Sequence, residues 1–212
     1  MAGDGAGERL NAVLDRAGIE SVDCETAAKF ETYLSLIFRW NSRLNLTSVR
    51  TEGGIISKHL AESVACARAI PQNVATLLDF GSGAGLPGIP IALCRPEIAV
   101  TLAEAQSKKA AFLQEAVRVL GTSARVFVGR AEELPATFDC VVLRAVDKMP
   151  EAVAAAAKLI TPHGWLALMT TRTELPKLQE AAGAQITWDA PTRLPFGDDR
   201  ILALGRRVNG PA

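Results

Sequence analysis

Hydrophobic positions change period once along this chain. Before residue 72 they recur at three- and four-residue intervals; from Val74 onward short apolar runs alternate with amphipathic stretches. The first spacing predicts helices over 8–18, 24–41 and 54–69. In the second, Phe30, Tyr33, Leu34, Ile37, Phe38 and Trp40 crowd one side, which reads as core packing; the third ends ahead of Pro71. NSRLNLTSV, 41–49, reads as a connection. Beyond it, strands are expected at 74–80, 98–103, 125–129, 138–143, 164–169, 184–188 and 200–205, with helices at 88–94, 107–120, 150–160 and 174–182. Such alternation predicts an α/β fold with a mostly parallel, doubly wound sheet. The short link PTRLPFGDDR pairs the last two strands antiparallel at one edge, with Pro191 and Pro195 outside the ladder. The expected organisation is a seven-stranded core over 73–212 and an N-terminal helical extension over 1–72 packed on it.

The first of these strands runs into LLDFGSGAGLPGIP, Leu77 to Pro90. Glycines there let the backbone turn sharply and let a ligand approach main-chain atoms. The loop lies where open α/β sheets bind ligands. A dinucleotide site has G-x-G-x-x-G and sets pyrophosphate on a helix N-terminus. Here the spacing is G-x-G-x-G-x-x-G, and Asp79 stands two residues before Gly81. A carboxylate at that point repels phosphate and suits a cationic ligand. S-adenosylmethionine carries an amino group and a sulfonium and lacks phosphate. Glu104, at the end of the second strand, is placed to accept hydrogen bonds from a ribose diol. The sheet ending in an antiparallel pair is also typical of S-adenosylmethionine methyltransferases, of the Rossmann-like class I fold.

Two further loops complete the expected pocket. Gly129-Arg130-Ala131-Glu132-Glu133 follows the third strand, where a backbone N–H or an acid reads an adenine edge; an ordinary helix start with acids in its first turn is the plainer alternative. Arg144 follows the buried run FDCVVL at the mouth of the sheet. Its guanidinium suits a phosphate or a guanine edge, or an ion pair with Asp79 or Glu132. His59 lies with Lys58 and Glu62 on one predicted helix and reads as a surface or supporting histidine. The segment LRAVDKM has neither the N/D-P-P-Y/F motif of amino-group methylation nor the P-C dipeptide of cytosine C5 chemistry.

Composition narrows the class. Hydrophobic content of 49% with 22% charged residues describes a globular chain. No apolar run approaches the ~20 residues that span a bilayer. MAGDGAGERL has no apolar signal core, so a cytoplasmic protein is expected. Cys24, Cys66, Cys94 and Cys140 are scattered and read as free thiols, and His59 and His163 are too few for a zinc site, so no metal is expected. The formal net charge of zero argues against strongly electrostatic nucleic-acid binding, leaving local patches at Lys108-Lys109, Arg125 with Arg130, Arg193 with Arg200, and Arg206-Arg207.

WNSRLNLTS (40–48), KHLAES (58–63), LLDFGSGAGLPGIP (77–90), RPE (95–97), AEAQSKKAAFL (103–113), GRAEELP (129–135) and LRAV (143–146) occur in the order seen in the bacterial RsmG (GidB) enzymes. The chain resembles that family, which methylates a guanine at N7 in the 530 loop of 16S ribosomal RNA. The resemblance implies that Gly81, Leu86, Ala131, Glu132 and Arg144 line the S-adenosylmethionine site, joined by Asp79, Gly83 and Glu104. It implies RNA contacts from Lys108, Arg130 and Arg144, with Arg144 positioning the substrate. The expected partner is 16S ribosomal RNA or the 30S subunit or its precursor, met by a monomer. Met169 stands where the family often has a lysine, with Arg172 as a substitute, and Glu62 replaces a more usual aspartate. A methyltransferase acting on a different RNA, a protein or a small molecule remains the alternative.

Overall fold

The structure, a computed structural model, describes residues 5–197 and 199–208. Two helices open it, α1 (Ala6–Arg16) and α2 (Cys24–Leu44). Asp23 starts α2 by accepting from Thr26 N at 2.8 Å, and Asn45, in the left-handed region at φ 47°, ends it. The helix thus runs past 41 to Leu44, into the first part of what reads in sequence as a connection. The third predicted helix is broken into α3 (Glu52–Ile55), a π-helical segment over Ile56–Ala61 and α4 (Glu62–Ala69). Gly53 and Gly54 weaken its start. π-helical turns of this kind are rare and cluster at functional sites.

The sheet comprises β1 (Thr76–Phe80), β2 (Ala99–Glu104), β3 (Arg125–Val128), β4 (Phe138–Arg144), β5 (Ile160–Thr171), β6 (Ile186–Trp188), β7 (Thr192–Arg193) and β8 (Arg200–Arg207). Between them lie α5 (Gly88–Cys94), α6 (Ser107–Leu120), α7 (Met149–Lys158) and α8 (Leu175–Ala182). The order is β3-β2-β1-β4-β5-β8-β6, with β7 pairing β8. β1 to β5 pair in parallel, and β8 is antiparallel to β5, β6 and β7. Among the described residues the sheet therefore has eight strands rather than seven. β7 is a two-residue strand inside the predicted link, too short to show a period. The antiparallel strand lies one place in from the edge, with β6 outside it. β5 begins at Ile160, four residues earlier than its apolar core suggests.

Alternate residues of the strands feed two cores. Leu77, Val100, Leu102, Cys140, Val142 and Met169 pack with residues of the N-terminal helices, α5 and α6. Leu78, Ala103, Val141, Leu143, Leu168 and Ala203 pack with α7 and α8 on the other face. The N-terminal helices thus share one apolar cluster with the sheet. This period-two alternation makes three layers from one sheet.

Candidate active site

A cavity of about 650 Å³ opens at the carboxyl ends of β1, β2, β3 and β4. Gly81 and Gly83 have φ of 72° and 55°, a region open to glycine at little cost. The loop is braced from both sides. Gly83 N donates to Glu104 Oε2 at 2.9 Å, and Tyr33 of α2 donates its hydroxyl to the Ala84 carbonyl at 2.5 Å. Glu104 also accepts from Gln106 N through Oε1 at 2.7 Å. Both carboxylate oxygens are thereby fixed at the strand end, each with a lone pair to spare.

Of the sequence-predicted residues, Gly81, Gly83, Leu86, Glu104, Arg130, Ala131, Glu132 and Arg144 line this cavity. Arg130 and Glu132 also pair with each other at 2.9 Å. Asp79 does not line it. It is 1% exposed and lies behind the loop, where Oδ2 accepts from Gly88 N, the first residue of α5, at 3.1 Å. Burial raises its pKa to about 7, against hydrogen bonds from Ser82 and Gly88 that lower it. A pyrophosphate would need the helix terminus that Asp79 already caps. The glycine loop is thus closed to the dinucleotide mode, while Glu104 beside it keeps lone pairs free. Lys108 is exposed and outside the cavity; its neighbour Lys109 lines it, because α6 turns one lysine toward the pocket and the other away.

Arg144 has a different partner from either expected acid. Its side chain is 7% exposed and meets Glu62, which is fully buried, at 2.9 Å; Arg200 Nε lies 2.8 Å from the other Glu62 oxygen. Arg144 Nη2 also donates to the Lys58 carbonyl and to His59 Nδ1, each at 2.8 Å, and Nη1 reaches Ser63 Oγ at 3.4 Å. The π-helical segment brings these acceptors together on one guanidinium. Asp79 and Glu132 are excluded because one caps α5 and the other pairs with Arg130. The next residue, Ala145, sits at φ 51° in the lining of the cavity, a left-handed conformation that is strained without a glycine.

His59 is part of this site rather than the surface. It lines the cavity, and Nε2 lies 2.7 Å from Thr47 Oγ1. Burial, then the charge of Arg144, lowers its pKa to about 4, so it is neutral at physiological pH. The segment 40–48 positions Thr47. Trp40 packs edge-on to Phe112 and donates to Glu115 at 3.1 Å, while Asn41 Oδ1 accepts from Thr47 N at 2.9 Å. Sequence reasoning missed Thr47 and Arg200. The polar pattern W-N-x-x-x-N-L-T was visible, but the folding of its last turn back onto Asn41 was not. Met169 is 2% exposed inside β5, opposite Arg144 in register, and lies in the core; Arg172 is exposed just beyond that strand.

Comparison with known proteins agrees with this geometry. The family described as GidB, rRNA small subunit methyltransferase G, matches residues 26–191. Ribosomal RNA small subunit methyltransferase G of Xanthomonas euvesicatoria pv. vesicatoria is 42% identical over 164 residues, 76% of each chain. The protein of that name from Pelotomaculum thermopropionicum is 35% identical over 199 residues, covering 85% of this chain and 82% of the relative. Among solved structures, a methyltransferase from Pyrococcus furiosus is similar in fold, with a TM-score of 0.61 at 13% identity, covering 86% of this chain and 98% of that one. A SAM-dependent methyltransferase from Aquifex aeolicus gives a TM-score of 0.58 at 16% identity, covering 73% and 93%. With its motifs in order and its match running from α2 through β6, the chain belongs to the GidB family of ribosomal RNA small subunit methyltransferases G.

Proposed function

We propose that this protein transfers a methyl group from S-adenosylmethionine to N7 of a guanine in 16S ribosomal RNA, presented as RNA or as the small subunit. One observation carries the cofactor reading. Glu104 stands at a strand end with both oxygens fixed, beside a glycine loop whose helix terminus is already capped by Asp79. That is a receptor for a ribose without phosphates. Gly81, Gly83 and Leu86 wall the loop side; Ala131 and Glu132 wall the base side. When bound, S-adenosylmethionine supplies a methyl group on a sulfonium.

The acceptor reading rests on family membership and on the state of the mouth. Both ring nitrogens of His59 are engaged, and its low pKa leaves it a poor base. Guanine N7 already presents an in-plane lone pair, so no proton has to leave before attack. Orientation and proximity suffice for such a reaction. Arg144 shares the two hydrogens of Nη2 among three acceptors and directs Nη1 to Ser63, which leaves Nε and the second Nη1 hydrogen with capacity for substrate. Arg130 and Lys109 at the rim, with Lys108 on the outer surface, are placed for phosphates. No helix among the described residues is long and apolar enough to cross a membrane.

The test is methyl transfer from labelled cofactor to unmodified small-subunit RNA and particles, with the product nucleoside identified by mass. 7-Methylguanosine at a single position is expected. Intact cofactor binding without transfer to any ribosomal form would move the acceptor elsewhere.

A further inference from the structure

A chain of hydrogen bonds at the mouth leaves one polar hydrogen pointedly unused. It starts at Arg144, whose guanidinium has donors and no acceptor. Nη2 shares its two hydrogens among the Lys58 carbonyl, Glu62 Oε2 and His59 Nδ1, and at 2.8 Å from that donor we assign His59 Nδ1 as the bare nitrogen of the ring. Its 3.1 Å approach to the Lys58 carbonyl is then a meeting of two acceptors that share the Nη2 donor. A neutral imidazole with Nδ1 bare carries its hydrogen on Nε2. That hydrogen faces Thr47 Oγ1 at 2.7 Å. Val49 N donates to the same oxygen at 3.1 Å. A hydroxyl has two lone pairs and one hydrogen, so both lone pairs are filled. Thr47 is left as a donor alone, and no acceptor among the described residues takes its hydrogen. It lines the cavity, held there by the bond from Thr47 N to Asn41.

We infer that Thr47 is a specificity-determining residue whose hydroxyl donates to O6 of the target guanine. This rests on the guanine-N7 reading proposed above and deepens it. On a guanine, O6 is the acceptor adjacent to N7; on an adenine, the same place holds an amino donor. A hydroxyl free to rotate would accommodate either. One whose lone pairs are both occupied accepts guanine and opposes adenine, because two donors would meet there. His59 is then a positioning residue: it acts through Thr47, and Arg144 fixes its tautomer. The arrangement reads base identity with an uncharged group, beside the nitrogen that reacts.

The experiment compares wild type, Thr47→Val and Thr47→Ser on ligated 16S ribosomal RNA and small subunits built from it. The target position carries guanine or 2-aminopurine, which keeps N7 and lacks O6. Wild type is expected to lose about tenfold in kcat/KM on 2-aminopurine, the scale of one hydrogen bond. Thr47→Val is expected to be about tenfold slow on guanine and to show no further loss on 2-aminopurine. Any change in the reactivity of N7 itself is common to both enzymes and cancels in that comparison. Thr47→Ser keeps the hydroxyl and is expected to restore the discrimination. The cofactor Kd, read by calorimetry, is expected to stay unchanged in both variants. Thr47→Val that discriminates as wild type does, or whose defect lies in cofactor Kd, overturns the inference. If wild type places no methyl on guanine N7, the parent reading fails and this one with it; methylation of N7 with equal rates on both bases defeats the Thr47 role alone.

Discussion

Asp79 shows how one buried carboxyl sets a pH response. An unfolded aspartate releases its proton near 3.8, while the folded one keeps it up to about 7. Between those values the folded state binds more protons, so this group's contribution to stability falls as pH rises. His59 works in the opposite direction. Its unfolded ring protonates below 6.5 and its folded ring resists until about 4, so its contribution is lost as pH falls through that window. The two slopes oppose each other over their common range. Asp79→Asn removes one of them, and its stability relative to wild type is expected to improve steadily from pH 4 to pH 7 and then level. Urea midpoints at successive pH values read this; parallel curves for the two proteins would reject it. Gly88 is the second sensitive position. A Cβ there would lie 2.3 Å from Leu102 Cδ2 and 2.5 Å from Asp79 Oδ2. Gly88→Ala must shift β2 or break the Asp79 cap, with an expected loss of about 2 kcal/mol by overpacking. A thermal midpoint within a degree of wild type would show that the helix start yields freely.

At the scale of elements, Glu62 joins the N-terminal helices to the sheet. It sits at the start of α4, fully buried, with Arg144 from the end of β4 on one oxygen and Arg200 from the start of β8 on the other. Removing one member of a buried pair leaves an uncompensated charge. Glu62→Gln removes the one negative charge facing two guanidinium groups and is expected to destabilise the fold by about 3 kcal/mol. Arg200→Ala, at a side chain 32% exposed, is expected to cost about 1 kcal/mol. Chemical denaturation ranks them, and equal losses would place the bridge on Arg144 and Arg200 alike. This bridge also marks where sequence reading stops. The glycine loop and the acid ending β2 announce themselves within a few residues, because a turn and a strand end are local. The strand–helix alternation is local too, so the fold class was legible. Glu62, Arg144 and Arg200 are separated by 82 and 56 residues or more, and their meeting depends on β8 entering antiparallel between β5 and β6. Asp79 was legible as an important acid but not as a helix cap, because whether it faces the loop or lies behind it depends on strand orientation. Among the lysines, one residue of helical phase separated Lys108 from Lys109.

For the molecule as a whole, topology sorts the basic patches that a neutral chain leaves for RNA. Parallel strands β1 to β4 end at the mouth of the cavity, and with them come Lys109, Arg130 and Lys148 in its lining. β8 runs the other way. Its first residue, Arg200, is in register with Thr171 near the mouth, while Arg206 pairs with Trp165 at the far end of β5 and stacks over that ring at 5.8 Å. The Arg206-Arg207 pair therefore lies across the molecule from the site and belongs to the sheet. With a net charge of zero, affinity for the proposed RNA substrate would rest on the few cations at the mouth and on the shape of a single-stranded loop. Each phosphate neutralised by one of them contributes about 0.7 to the slope of log affinity against log salt on single-stranded RNA. Lys109→Gln and Lys148→Gln are each expected to lower that slope by about 0.7 while cofactor affinity holds. Arg206→Gln is expected to leave the slope where it was. Binding titrations across a salt series on the target RNA measure all three. A slope that responds to Arg206 as much as to Lys109 would put the RNA on the opposite edge of the sheet, away from Thr47 and Glu104, and would separate the binding face from the cavity in which methyl transfer is proposed.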